Sequence, residues 1–318
     1  MSSLREAIAA AAETLAQAGI DSARNDAELL AAHAAGTGRG RLALLDPVGP
    51  GFFDRFGEAV AARANRIPLQ HITGHAAFGP VQLEVGPGVF IPRPETEALL
   101  EWALAQSLPR CPLVIDVCTG SGALAIALAT QLPGARVIAV DDDAVALDYA
   151  RRNSASTTVR LVTGDATDPG LLPDVVGTVD MVVSNPPYIP VGTVLDPEVS
   201  RHDPAHALFG GADGMAVIGP IVRRAADWLT AGGLLAVEHD DTTSRAAVEM
   251  IERTGAFDEV TTHCDLVGRP RFVTARRTGG QERSDPGIET GGQERSDPGI
   301  ETGGQERSDP GIEKRHAP

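Results

Sequence analysis

The chain is short of cysteine, of positive charge and of long apolar runs, and each shortage excludes something. Its three cysteines, Cys111, Cys118 and Cys264, are an odd number with no metal-ligand spacing. That excludes a disulfide scaffold and fits a reduced, cytoplasmic setting. No apolar run approaches the roughly 20 residues needed to cross a bilayer. The first residues carry an acid early, at Glu6, and have no apolar leader core. Lys and Arg total 27 against 43 Asp and Glu, a net charge of −16. An unassisted duplex-DNA binder requires a basic footprint, so direct nucleic-acid binding is not expected. What remains is a globular chain of 318 residues, 42% hydrophobic, long enough for one large domain and a small one. We expect a monomer that does not engage membranes.

Residues 1–69 read as a small helical domain. Leu4, Ile8, Ala11 and Leu15 fall at helical spacing, with Gly19 as a stop. Ser22 or Asn25 caps a second helix through Glu28, Leu29, Leu30 and His33. After a break at Gly36, Gly38 and Gly40, a further helix runs from about Phe52 to Asn65. Such a domain is either a packing appendage or a surface that grips a macromolecular substrate. Residues 70–92, glycine-broken and then alternating, read as a β-hairpin linker. Residues 93–277 alternate strand and helix, which predicts a doubly wound, mostly parallel α/β sheet with an antiparallel final pair. Residues 278–318 are a polar 12-residue repeat ending in Lys-Arg-His-Ala-Pro, expected to be disordered.

Val179–Tyr188 carries the strongest signal in that sheet. An apolar strand runs to Ser184 and stops at Asn185-Pro186-Pro187-Tyr188. The prolines end the ladder and push their predecessors toward extended geometry. In open α/β sheets, ligands sit at the carboxyl ends of strands. Asn-Pro-Pro-Tyr is similar to the signature of methyltransferases that act on planar nitrogens. Such a nitrogen is a poor nucleophile, because its lone pair is delocalised. The Asn185 side-chain oxygen and the Pro186 carbonyl are expected to accept its two N–H groups and aim the lone pair. Pro187 and Tyr188 complete the substrate corner, with Tyr188 stacking on the flat group. The next residues, up to about Gly214, have neither helix nor strand periodicity and read as a mobile substrate loop. Asp196, Glu198, His202, Asp203 and His206 within it fit no metal-ligand motif, and no metal is expected.

Gly120-Ser121-Gly122-Ala123-Leu124-Ala125 matches the dinucleotide pattern G-x-G-x-x-A, and Asp141 stands where a ribose-binding acid belongs. A nicotinamide enzyme is therefore a rival. Asp116 points the other way. A carboxylate at the first strand's end suits the ammonium of S-adenosylmethionine and opposes a pyrophosphate. Asp141 would then bind the ribose hydroxyls. Asp165, with Ala166 beside it, would face the adenine. Each acid also has a plainer reading as a helix cap.

Taken together, Pro68-Leu-Gln-His-Ile-Thr-Gly74, Phe90-Ile-Pro-Arg-Pro-Glu-Thr-Glu97, Asp116–Gly122, Ala139-Val-Asp141, Ser184–Ile189, Gly210/Gly214 and Glu238-His239 resemble the HemK/PrmC family of release-factor glutamine N5-methyltransferases. The resemblance implies a Rossmann-like class I S-adenosylmethionine-dependent methyltransferase with a helical N-terminal domain and a hairpin linker. It implies methyl transfer to the glutamine of Gly-Gly-Gln in class I peptide chain release factors. It places the cofactor against Cys118, Thr119, Gly120, Ser121, Gly122, Asp141 and Asn185. A ribosomal-protein glutamine methyltransferase, a DNA amino-methyltransferase and an inactive cofactor-binding scaffold remain alternatives. Cys118 stands where the family usually has glycine, and Asp240 where it often does. Each tail repeat contains Gly-Gly-Gln. The flanking Glu-Arg-Ser-Asp favours a chance tripeptide over a tethered pseudosubstrate.

Overall fold

The first helix starts from a reciprocal cap. Ser3 Oγ accepts from the Glu6 N–H at 3.3 Å, and the Glu6 carboxylate accepts from the Ser3 N–H at 2.9 Å. Helix α1 (Leu4–Gln17) buries Ile8, Ala11 and Leu15 on one stripe. With α2 (Ala23–Ala34) and α3 (Phe52–Ala64) it closes a bundle around Leu15, Leu30, Phe52 and Phe56. The Ser22 hydroxyl makes no backbone cap and instead donates to Asp26 at 2.8 Å. A single turn, α4 (Leu69–Thr73), ends at Gly74 with φ +78°. The hairpin β1 (His75–Phe78) and β2 (Val81–Glu84) follows, paired antiparallel. This computed structural model describes residues 3–45, 48–265 and 267–279. The repeat tail beyond Gly279, with the expectations attached to it, lies outside them.

After α5 (Glu97–Leu104) the chain alternates as expected. The elements are β3 (Leu113–Val117), α6 (Ala123–Gln131), β4 (Arg136–Asp141), α7 (Ala144–Asn153), β5 (Arg160–Thr163) and β6 (Val179–Ser184). They continue with α8 (Pro197–His202), α9 (Ile218–Trp228), β7 (Leu229–Glu238), α10 (Ser244–Arg253), β8 (Phe257–Cys264) and β9 (Pro270–Arg277). The sheet order is β5-β4-β3-β6-β7-β9-β8. The first five strands are parallel, and β9 pairs antiparallel with both β7 and β8.

Side chains alternate across this sheet, so each strand feeds two cores. Val114, Met181 and Val183 pack with α5 and α6 on one face. Ile115, Val182 and Leu235 pack with α9 and α10 on the other. That two-sided burial is why the strands read as unbroken apolar runs. The chain steps outward from β3 to β4 and β5, then returns to the other side of β3 as β6. The reversal between β3 and β6 is where such a sheet leaves a crevice for ligands.

One expectation needs correction. The segment after Tyr188 is structured: it holds α8, a turn at Ala205–Ala207 and an Ile189–Phe209 bridge. Asp196 caps α8 by accepting from the Glu198 N–H at 2.8 Å. A six-residue helix is too short to show a period in sequence. The bundle grips this segment. Arg63 Nη1 lies 2.9 Å from Glu198 and Arg66 Nη2 lies 3.3 Å from Asp196.

Candidate functional site

At the carboxyl ends of β3, β4, β5 and β6 lies a cavity of about 300 Å³. Asp116, Cys118, Thr119, Gly120, Ser121, Asp141, Asp165, Ala166, Asn185 and Pro187 all line it. Gly122 does not. It caps α6 at φ +89°, where a Cβ would sit 2.8 Å from Ile126 Cδ1. Gly120 is also left-handed, at φ +57°, with open space where a Cβ would be, so its value is conformational. Cys118 adopts φ +60° with a side chain, a conformation that favours glycine.

The acids have distinct duties. Asp116 Oδ2 accepts from the Thr119 hydroxyl at 2.6 Å and the Ala125 N–H at 3.1 Å. Its Oδ1 is buried and without a hydrogen-bond partner among the described residues. Burial pushes this carboxyl up to about 7, against the pull of its two donors. Asp141 accepts from the Gly120 N–H at 2.8 Å and the Asp143 N–H at 3.0 Å, which ties the glycine turn to the end of β4. Burial raises its pKa, and those N–H groups oppose the rise. Asp165 is exposed at the rim and accepts from the Thr167 N–H at 2.7 Å, which holds its pKa down. Its turn-forming reading therefore applies as well.

The lining has no Lys or Arg and four aspartates, Asp116, Asp141, Asp142 and Asp165. A pyrophosphate would meet four carboxylates and no fixed cation. An unpaired buried Asp116 oxygen instead suits a ligand bearing a positive charge, as S-adenosylmethionine does. The nicotinamide rival loses its physical basis here.

The corner after β6 is held from several sides. The Ser184 hydroxyl donates to the Val117 carbonyl at 2.7 Å, locking the ends of β3 and β6 together. Asn185 Nδ2 donates to Thr96 Oγ1 at 3.0 Å. Its side-chain oxygen is reached by no donor among the described residues. Among the described residues no donor reaches the Pro186 carbonyl. One substrate expectation changes, and one narrows. Tyr188 packs into the core beside α9 and does not line the cavity, whereas the buried Pro186 keeps a part in substrate binding through its unpaired carbonyl alone. The Tyr188 hydroxyl donates to Glu238 Oε1 at 2.8 Å, so the ring anchors the corner from behind and does not present a stacking face.

Two glycines seat the corner. A Cβ on Gly210 would lie 2.5 Å from the Pro187 carbonyl oxygen, and one on Gly214 would lie 2.2 Å from that of Tyr188. We expect Gly210→Ala to displace the corner and lower turnover at least about tenfold, since small misplacements of a positioning group are costly. Gly57→Ala, on the open side of α3, is the control. Steady-state kinetics on both variants makes the comparison, and equal activities would refute it.

The segment Phe90–Glu97 reads in sequence as a lid over a cofactor or a proline-rich helix entry, and it supplies Phe90, Pro92 and Thr96 to the lining. Phe78, His206 and Phe209, which sequence reasoning missed, complete the cover. His206 Nε2 sits 2.7 Å from Asp143, the cap of α7. Arg93 pairs with the buried Asp203, which draws the Ile91–Pro94 segment to the α8 loop. The hydrogen bond from Asn185 to Thr96, inside the Phe90–Glu97 segment, was not foreseen, since nothing local pairs residues so far apart in the chain. No group of three or more His, Cys, Asp or Glu among the described residues is arranged to hold a metal ion.

A family model described as the PrmC N-terminal domain matches residues 6–74, and one described as the methyltransferase small domain matches residues 94–200. A protein of Mycolicibacterium smegmatis named release factor glutamine methyltransferase is 63% identical over 277 residues, covering 87% of this chain and 99% of that one. Its namesake in Mycobacterium tuberculosis strain H37Rv is 61% identical over 280 residues, covering 87% and 92%. A Streptomyces pristinaespiralis protein named 4-amino-L-phenylalanine/4-methylamino-L-phenylalanine methyltransferase is 41% identical over 265 residues, covering 80% and 89%.

Proposed function

The chain belongs to the release factor glutamine methyltransferase family, and we propose that it methylates the side-chain amide nitrogen of a glutamine in class I peptide chain release factors. It is an S-adenosylmethionine-dependent methyltransferase. The observation that carries the proposed site is the Asn185 amide, whose nitrogen is committed to Thr96 while its oxygen, beside the cavity, meets no donor among the described residues.

When bound, S-adenosylmethionine supplies an electrophilic methyl group on a sulfonium sulfur. Asp116 Oδ1 would accept from its ammonium, Asp141 would take its ribose hydroxyls, and the Gly120 turn would let its backbone approach closely. Asn185 Oδ1 and the Pro186 carbonyl would accept the two N–H groups of the substrate amide. Holding both protons in one plane aims the nitrogen lone pair and favours its pyramidalisation. As positive charge develops on nitrogen, those two oxygens stabilise it without reorganising. The alkylated amide is strongly acidic and sheds its proton to water, so no general base is required. Pro187 narrows the entry. The α8 loop, tied to Arg63 and Arg66, would align the helical bundle with the site, so that a protein substrate spans both.

The S. pristinaespiralis relative is named for an aromatic amine, whose nitrogen is also conjugated. A free arylamine is therefore the second reading. The higher identities to release factor enzymes favour the protein substrate. Mass spectrometry of release factor incubated with enzyme and S-adenosylmethionine tests it. A gain of one methyl on the Gly-Gly-Gln peptide is expected. No gain there, with methylation of a ribosomal protein or an aromatic amine, would replace it. No helix among the described residues is long and apolar enough to cross a membrane. We place the reaction in the cytoplasm, where release factors act.

Asp116 makes the cofactor step pH-dependent. Its carboxyl ionises near 7 in the free protein, and an ammonium partner favours the charged form. Affinity for S-adenosylmethionine should therefore rise as pH climbs from 6 to 7.5 and level off above. Asp116→Asn should weaken binding by roughly 10- to 100-fold, the range for a hydrogen bond to a charged group, and flatten that profile. The stability effect has the opposite sign. The folded pKa of about 7 exceeds the ordinary 3.8, so the folded state holds the proton more tightly. The wild-type group costs stability as pH rises through that window, and ligand-free Asp116→Asn should melt higher than wild type at pH 8. Calorimetric titration and thermal melts at pH 6 and 8 read both effects. A pH-independent wild-type affinity would exclude this role.

A further inference from the structure

Asn153, in the last turn of α7, bonds to two segments that lie far from it in the chain. Its Oδ1 accepts from the Glu84 N–H at 2.7 Å, and its Nδ2 donates to the Glu84 carbonyl at 3.0 Å. The side chain thus pairs with the outer edge of β2 as a neighbouring strand would. Nδ2 also donates to the Ser121 carbonyl, at 2.9 Å. Ser121 is 2% exposed and belongs to the turn at residues 119–122, at the cavity. One N–H and two carbonyls surround the amide, so its orientation is fixed. The chain after β2 is seated on the same helix. A Cβ on Gly86 would lie 2.5 Å from the Tyr149 hydroxyl, and one on Gly88 2.9 Å from Val145 Cγ1.

We propose that Asn153 is a positioning residue for S-adenosylmethionine, which fixes the peptide between Ser121 and Gly122 in the cofactor turn and couples it to the hairpin linker. The proposal rests on the reading of that turn as the cofactor's seat. Gly120 and Gly122 have φ values of +57° and +89°. Glycine makes such a turn possible and also leaves it soft. The first half of the turn is held through Thr119 and Gly120 by Asp116, the Val140 carbonyl and Asp141. Past Gly120, Asn153 supplies the one side-chain bond among the described residues. Released from Asn153, the peptide between Ser121 and Gly122 can rotate away from the geometry that meets the ligand. A turn that has to be ordered at each binding event costs affinity, which a pre-ordered turn avoids. The Asn185–Thr96 bond stands at the end of another strand, so methyl transfer from bound cofactor is left intact. Because one amide group holds both Ser121 and Glu84, order in the turn and order in the hairpin rise and fall together.

Asn153→Asp keeps the shape and the acceptor for the Glu84 N–H, but sets a carboxylate oxygen against two carbonyls. We expect the Kd for S-adenosylmethionine to rise roughly 10-fold or more, the scale of a lost hydrogen bond whose partner stays buried. The added negative charge by itself favours a cationic ligand, so charge alone does not produce that loss. At saturating cofactor, kcat should stay within about threefold of wild type. A purely structural role would lower the melting temperature and leave the cofactor Kd of the folded protein where it was. Asn153→Ala carries the same test if Asn153→Asp does not fold. Arg152→Ala is the control. It removes the 2.8 Å ion pair to the Glu84 carboxylate and leaves the Asn153 bonds in place, so cofactor affinity should not move. Hydrogen exchange reads the coupling directly. Glu84 does not line the cavity, yet saturating S-adenosylmethionine should slow exchange of its amide in wild type. In Asn153→Asp that slowing should vanish. Wild-type affinity in folded Asn153→Asp, an equal loss in Arg152→Ala, or protection of Glu84 that survives the change would each overturn the proposal. If Asp116→Asn also leaves affinity unchanged, the reading of the cofactor site fails, and the proposal with it. A loss in Asp116→Asn with none in Asn153→Asp overturns the proposal alone.

Discussion

Asn185→Ala should lower kcat for release-factor methylation by about 10²- to 10³-fold, the range for deleting one preorganised group at a developing charge. The reason is local. Asn185 sits at the carboxyl end of β6, its nitrogen is held by Thr96, and its oxygen, beside the cavity, meets no donor among the described residues. Alanine removes that acceptor and leaves the cofactor acids Asp116 and Asp141 in place. The loss should therefore appear in kcat much more than in the KM for S-adenosylmethionine. Single-turnover kinetics separates transfer from product release. A variant that turned over within about threefold of wild type would mean that the Pro186 carbonyl alone positions the nitrogen.

The second large effect concerns stability. Arg63 and Asp26 form a buried pair at 2.7 Å, with side chains 6% and 4% exposed. Burial disfavours the Arg63 charge, but Glu198 and Asp26 outweigh that and hold its pKa raised. Arg63→Ala leaves Asp26 buried with the Ser22 hydroxyl as its remaining partner. Breaking one side of such a pair should cost about 3–5 kcal/mol in urea unfolding. Replacing both, Asp26→Leu with Arg63→Met, should recover most of it, since apolar pairs of similar volume are well tolerated. The double variant still lacks the Arg63–Glu198 tie to the α8 loop. Its methylation of intact release factor should fall while S-adenosylmethionine binding is kept. If Arg63→Ala were as stable as wild type, water would have to reach Asp26 in the fold.

Much of this molecule was legible because local chemistry and tertiary structure agree. The β3, β4 and β6 runs were readable since both faces are buried and no polar alternation interrupts them. The corner at Asn185 was readable because consecutive prolines stop a ladder whatever surrounds it. Ten residues were assigned to the cofactor, and nine of them line one cavity. Gly122 is the exception: its left-handed cap conformation seats it against Ile126 at the start of α6, off the cavity lining. Tyr188 was misjudged since an aromatic after two prolines looks the same in sequence whether it faces a ligand or a core. Its neighbour Glu238 lies 50 positions along the chain and decides the matter.

Alone, then, the sequence determined the doubly wound sheet, a site at the carboxyl ends of its strands and the acids at successive strand ends. These follow from side-chain period, proline geometry and charge type, while its motifs carried the resemblance that implied methyltransferase chemistry. Only the tertiary structure decided that the loop after Tyr188 is a tethered element carrying α8, that Asp116 keeps an oxygen unpaired among the described residues, that Thr96 holds the Asn185 amide and that Glu238 holds Tyr188. The tethers depend on groups 50 to 130 positions apart meeting in space, such as Tyr188 with Glu238 and Arg66 with Asp196. Burial alters both the cost of a charge and the direction of a hydrogen bond there, and no local pattern records where such pairs will meet.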